Sequence, residues 1–143
     1  MLSAAAVVVC ALDLLGRSAS STVPIRFLDS PPRGASQNAE AFVTRNPDTI
    51  YLITSAAAFR DAQNARTEWL RREGCLKIAS VIVHEEWHLQ HGDDEEGAYQ
   101  AQMMALTMLN AASPVITSVR RSMNAVLAAQ NARPKPELLA ARR

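Results

Sequence analysis

Leu76-Lys77-Ile78-Ala79-Ser80-Val81-Ile82-Val83-His84-Glu85-Glu86-Trp87-His88-Leu89-Gln90-His91-Gly92 is the stretch on which the fold turns. Its first half is almost wholly apolar, and Ile78–Val83 alone has the length and β-branched content of a buried strand. Two features make it helical instead. It runs without a turn residue into the charged sequence that follows, and it stops at Gly92, the residue type that commonly follows a helix C-terminus. A helix that is apolar nearly all round belongs in a core. A central helix from about Cys75 to His91 is therefore predicted, with the other elements packed around it.

Upstream, Gly74 is expected to separate this helix from another that starts after the N-cap residue Ser55 and runs from Ala56 to about Arg71. Pro24–Asp29 alternates apolar and polar residues as a strand does, and Ser30–Gly34 breaks it. Ala41–Thr44 and Thr49–Thr54 read as two further strands joined through Arg45-Asn46-Pro47-Asp48, a plausible hairpin. Downstream, a helix is predicted from Asp94 to about Asn110, and another from Ser113-Pro114 to about Asn131. Arg133-Pro134-Lys135-Pro136 ends the last one, leaving 133–143 as a loosely attached tail. The expected class is α+β: one domain over 1–132, with a small antiparallel or mixed sheet packed on the central helix and further helices C-terminal to it.

Residues 1–20 admit two readings. Met1–Leu15 is apolar, and Ser18-Ala19-Ser20 has the small residues of a cleavage site. No Lys or Arg precedes Arg17, however, and Asp13 interrupts the run at the i,i+4 spacing that pairs it with Arg17 on a surface helix. A first helix packed on the domain is preferred over an export signal, and a cytoplasmic location over secretion. The run is too short and interrupted to span a bilayer.

With 143 residues, 48% hydrophobic and 20% charged, the chain suits one modest core. A formal charge of +1, with scattered cations, argues against a nucleic-acid binder. Two cysteines, Cys10 and Cys75, are too few for a disulfide framework or a cysteine zinc site, and are expected to be small buried residues. Met103, Met104 and Met108 read as core filler, Trp69 and Trp87 as packing residues, and Glu86 as a solvated charge.

His84-Glu85-Glu86-Trp87-His88 spells HExxH, using two of the three histidines in the chain. On a helix, i and i+4 stand one turn apart on one face, so both imidazoles can meet one zinc ion. Glu85 is unsuited to that ligand geometry but can reach the water that zinc activates, the position of a general base. A catalytic zinc needs a third protein ligand. His91 shares the face, yet at 1.5 Å rise per residue it lies roughly 10 Å from His84 along the axis, too far for one ion. Glu95 leads at helical spacing to Ala98, Tyr99, Gln102, Leu106 and Leu109, an inward face. Glu96 leads to Gln100, Met103, Thr107 and Asn110, and has a capping-box offset from Asp93. Glu95 is the preferred ligand, with Glu96 as the alternative.

Residues 81–106 resemble the gluzincin pattern of metallopeptidases, HExxH followed by a glutamate on the next helix. The short link from His88 and the form Glu95-Glu96-Gly97-Ala98 resemble the E-x-x-A signature of small bacterial zincins such as the ImmA/IrrE-like group. Thermolysin-like members carry an Asp four residues after the glutamate, where this chain has Tyr99. The resemblance implies a minimal zincin-like domain, a Zn2+ cofactor held by His84, His88 and Glu95, and a peptide or protein substrate laid as an extra strand on the sheet edge. By that analogy Ile50–Thr54 is the pairing edge. Tyr99 or Gln102 is placed to orient a zinc-binding imidazole. The same residues admit a second reading, a zinc-stabilised binding or regulatory domain without turnover.

Overall fold

Thr67 opens the longest helix among the described residues: its hydroxyl accepts the Leu70 amide at 3.1 Å, capping a helix that runs Glu68–His91. The computed structural model describes residues 1–36 and 39–132, so the expected 133–143 tail lies outside the described residues. In chain order the helices are α1 (Ala4–Leu14), α2 (Ala57–Asn64), α3 (Glu68–His91), α4 (Glu95–Met108) and α5 (Ser113–Asn131), and the strands β1 (Ile25–Leu28), β2 (Ala41–Thr44) and β3 (Thr49–Ile53). The class is α+β, with a three-stranded mixed sheet.

The expected break at Gly74 is a correction. α2 ends at Asn64, and α3 passes straight through Gly74. Gly74 is there for proximity: a Cβ would stand 2.8 Å from the Ala62 Cα, so only glycine lets α2 cross this closely. Gly92 does end α3, at φ 85°, with its amide on the His88 carbonyl at 2.8 Å.

The central layer is α3. Its residues Ile78, Ala79, Val81 and Ile82 are buried against Val7, Val8, Ala11 and Leu12 of α1, Ile50 and Leu52 of β3, and Phe59 and Ala62 of α2. α1 is thus part of the core, capped by Ser3 on the Ala6 amide. It is also cross-linked to α3. Cys10 and Cys75, expected to be separate, form a disulfide with Cα atoms 5.8 Å apart. Their separation of 65 residues left no local trace of this pairing. Arg17 reaches past Asp13 to pair with Glu86 of α3, so Glu86 is a partly buried ion-pair partner rather than a solvated charge.

The sheet order is β1-β3-β2, with β1 parallel and β2 antiparallel to β3. β3, expected as a free edge, is therefore the central strand, and β1 and β2 are the edges. Phe42 pairs with Tyr51 and the Ile53 amide donates to the Glu40 carbonyl at 3.0 Å, so Ala41 and Val43 turn their amides away from β3. The turn joining β2 and β3 is tied to α3, since the Arg45 guanidinium donates to the His88 carbonyl at 2.7 Å. Among the described residues no helix is long and apolar enough to cross a membrane.

On the far side α4 and α5 pack in sequence. Ala98, Gln102 and Leu106 of α4 face inward, as does Val119 of α5. Met104 and Met108, expected in the core, are 65% and 76% exposed, and Trp69 is 59% exposed. They occupy the outward faces of helices whose inward faces are already filled.

Candidate metal centre

Two turns of α3 and the first turn of α4 build the site. His84 and His88 stack along α3 with their Nε2 atoms 3.2 Å apart. Gly92 turns the chain, and Asp94 caps α4 by accepting the Gly97 amide at 3.2 Å. The cap is therefore Asp94, not Asp93. It starts α4 one residue before Glu95, whose carboxylate points back to α3. The Glu95 oxygens lie 2.9 Å from His88 Nε2 and 3.4 Å from His84 Nε2. One ligand atom from each residue falls within 4.8 Å of the other two, so this group can hold a metal ion.

The outer nitrogens of the two rings are occupied. His84 Nδ1–H donates to Gln102 Oε1 at 2.9 Å, Gln102 Nε2–H to Ser80 Oγ at 3.1 Å, and Ser80 Oγ–H to the Lys77 carbonyl at 2.7 Å. His88 Nδ1–H donates to the Gly92 carbonyl at 2.7 Å. These acceptors hold the proton on Nδ1 and direct the Nε2 lone pair of each ring at the same point, the arrangement metal-ligating histidines use. Four-coordinate zinc with bonds of about 2.0–2.2 Å sets its ligand atoms roughly 3.3–3.5 Å apart. The two Nε2 atoms stand 3.2 Å apart, with one Glu95 oxygen 2.9 Å from His88 and the other 3.4 Å from His84, so shifts of a few tenths of an ångström bring one oxygen and both nitrogens to the spacing of such an ion.

The electrostatics follow from these contacts. Without a metal, Nε2–H donation from the two imidazoles holds the Glu95 carboxyl down at about 2. The hydrogen bond to Glu95 holds His88 up at about 9, against the opposing effect of burial. Glu85 sits beside the cluster, 8% exposed, and makes no hydrogen bond or ion pair among the described residues. Burial raises its pKa, although the two imidazoles pull the other way. Tyr99 packs its ring edge-on to His84 at a centroid distance of 4.6 Å, and burial pushes its hydroxyl up to about 12. It therefore remains a protonated donor.

His84, Glu85, Glu95 and Tyr99 line a cleft of about 680 Å³. Ser122, Ala125 and Val126 of α5 also line it, as do Ala41 and the Lys77–Glu40 ion pair at 3.6 Å. His91 lies outside the site: its ring stacks on Trp87 at 4.3 Å and Nδ1–H donates to the Trp87 carbonyl. Glu96 is exposed on the outer face of α4. Of the two residues considered for orienting a ring by hydrogen bond, Gln102 does so and Tyr99 packs. Sequence reasoning missed Ser80 and the Lys77 carbonyl behind Gln102. The Ser80–Gln102 contact crosses 22 positions and carries no local signal.

No family model, curated protein or solved structure matches the chain.

Proposed function

We propose that this protein is a zinc-dependent, peptidase-like hydrolase on a minimal zincin-like domain, acting on a peptide or protein. The observation that carries the reading is the convergence of His84 Nε2, His88 Nε2 and Glu95 with both Nδ1 atoms committed elsewhere, beside Glu85, a buried residue whose carboxylate has no partner among the described residues. His84, His88 and Glu95 would hold the ion. Zinc supplies Lewis acidity, which makes water a competent nucleophile near neutral pH.

Each side chain then has a defined part. Glu85, with its carboxyl raised by burial, accepts a proton from the attacking water and returns it to the leaving amine. Tyr99, kept protonated, offers a hydrogen bond to negative charge developing in the cleft. Gln102 and Gly92 keep the two rings oriented. The outward amides of Val43 and of Ala41, which lines the cleft, give an extended substrate a strand edge to pair with.

Two measurements test this. Purified protein is expected to carry one zinc per chain. Glu85→Gln is expected to keep that zinc while lowering peptide hydrolysis by about 10²–10⁴-fold, the usual worth of a general base. Absence of stoichiometric metal would overturn the proposal. Zinc retained with no turnover in the unsubstituted protein would leave the non-catalytic, zinc-stabilised domain in its place, recognised by unfolding on chelation.

A further inference from the structure

The structure assigns Trp87 and Gly97 the role of a spacer that sets how closely α4 approaches α3 at the metal centre. This inference rests on the reading of His84, His88 and Glu95 as metal ligands. Gly97 lies in the first turn of α4, two residues after Glu95. A Cβ placed on it would stand 2.3 Å from Trp87 Cζ2 and 2.4 Å from Cη2. The edge of the indole thus lies directly on the backbone of the turn that carries the ligand.

The indole is poorly placed to yield. It is a rigid plate, and the His91 ring stacks on it at 4.3 Å with an interplanar angle of 23°. His91 is itself held by its Nδ1–H bond to the Trp87 carbonyl at 3.2 Å. On the α4 side, the Gly97 amide is committed to the Asp94 cap, and Asp94 Oδ2 would lie 3.0 Å from the added Cβ. The turn is therefore bounded by the indole and by its own cap.

Carbon atoms in ordinary contact lie about 3.5–4.0 Å apart, so a methyl at Gly97 forces a displacement on the order of 1 Å. Metal–ligand distances tolerate about 0.2 Å. Glu95 moves with the first turn of α4, so the displacement falls on the ligand. Alanine is the better helix former, and the contact with Trp87 explains a glycine where α4 on its own would favour alanine. His91, which the metal cluster does not use, finds its purpose here as the backing of the spacer.

The test is a double-mutant cycle read as Zn2+ affinity, measured by competition with a chromophoric chelator, on the unsubstituted protein, Gly97→Ala, Trp87→Leu and the double variant. In the presence of Trp87, Gly97→Ala is expected to weaken zinc binding at least tenfold. In the Trp87→Leu background the same change is expected to cost less than threefold, because the plate it collides with is gone. A merely structural role for either residue would not produce that rescue. Equal costs of Gly97→Ala in the two backgrounds would overturn the spacer and leave the metal centre standing. Failure of the unsubstituted protein to bind zinc would overturn both. Should Gly97→Ala fail to fold, recovery of folding and zinc binding in the double variant supports the spacer, and its absence refutes it.

Discussion

Removing the Gln102 carboxamide separates a packing contribution from a metal-orienting one. Gln102 is 3% exposed, and its Oε1 is the acceptor that fixes the His84 ring. Gln102→Leu keeps much of the volume but leaves the buried His84 Nδ1–H without an acceptor. An unsatisfied buried donor costs about 1–3 kcal/mol. For a chain of this size each kcal/mol moves Tm by roughly 3–5 °C, so the chelated variant should melt on the order of 5–10 °C lower. Loss of a ring-orienting partner weakens metal binding by about 10–100-fold. A hundredfold loss removes about 2.7 kcal/mol of zinc-induced stabilisation at saturating metal, so the gap between chelated and zinc-loaded Tm should shrink as well. Gln102→Glu retains the acceptor while burying a charge. It should lower the chelated Tm yet hold zinc within about threefold, since a carboxylate behind a ligating imidazole also makes it more basic. Scanning calorimetry with and without chelator, together with zinc competition titrations, reads both quantities. Equal zinc affinities for Gln102→Leu and Gln102→Glu would refute the argument, because orientation through the acceptor demands that they differ.

Three further outcomes follow from the same contacts. In chelated protein, Glu95 is lowered from 4.5 to about 2 and His88 raised from 6.5 to about 9. The Glu95 contribution is complete above 4.5 and lost as pH falls towards 2, and the His88 contribution is complete below 6.5 and lost as pH rises through 9. Calorimetry should therefore show their joint contribution greatest between those two ordinary values, and a contribution still growing from pH 7 to 9 would contradict the assignment. The Cys10–Cys75 disulfide closes a loop of 65 residues, which by chain entropy is worth about 4 kcal/mol. Cys10→Ala should lower the urea midpoint accordingly, and titration of two free thiols in the unreduced native protein would disprove the bridge. Gly74→Ala should destabilise by about 1–3 kcal/mol despite its gain in helix propensity, because the methyl has no room beside Ala62. A raised Tm would show that α2 and α3 separate freely.

Much of the candidate site was legible because its parts are local. The i,i+4 spacing of His84 and His88 sets them on one face of any helix, and α3 is that helix. The choice of Glu95 over Glu96 as the inward residue followed from the periodicity of α4, and the burial of Ala98, Gln102 and Leu106 agrees with it. The hairpin was equally local, a turn flanked by two β-rich runs. The helix boundary at Gly74 was misread because a glycine in sequence does not reveal whether it ends a helix or admits a neighbour. Met104 and Met108 were misassigned because apolar character does not tell which face of α4 has a partner.

By itself the sequence determined the α+β class, the helix that bears HExxH and the residues able to meet at one ion, since each depends on backbone periodicity and short-range spacing. Tertiary structure alone decided the Cys10–Cys75 bridge, the Arg17–Glu86 pair, the Gln102–Ser80 chain behind His84 and the central place of β3. These contacts join residues far apart in the chain. They exist only once packing around α3 has brought α1, α4 and the sheet to it, and no local pattern of residues encodes that distance.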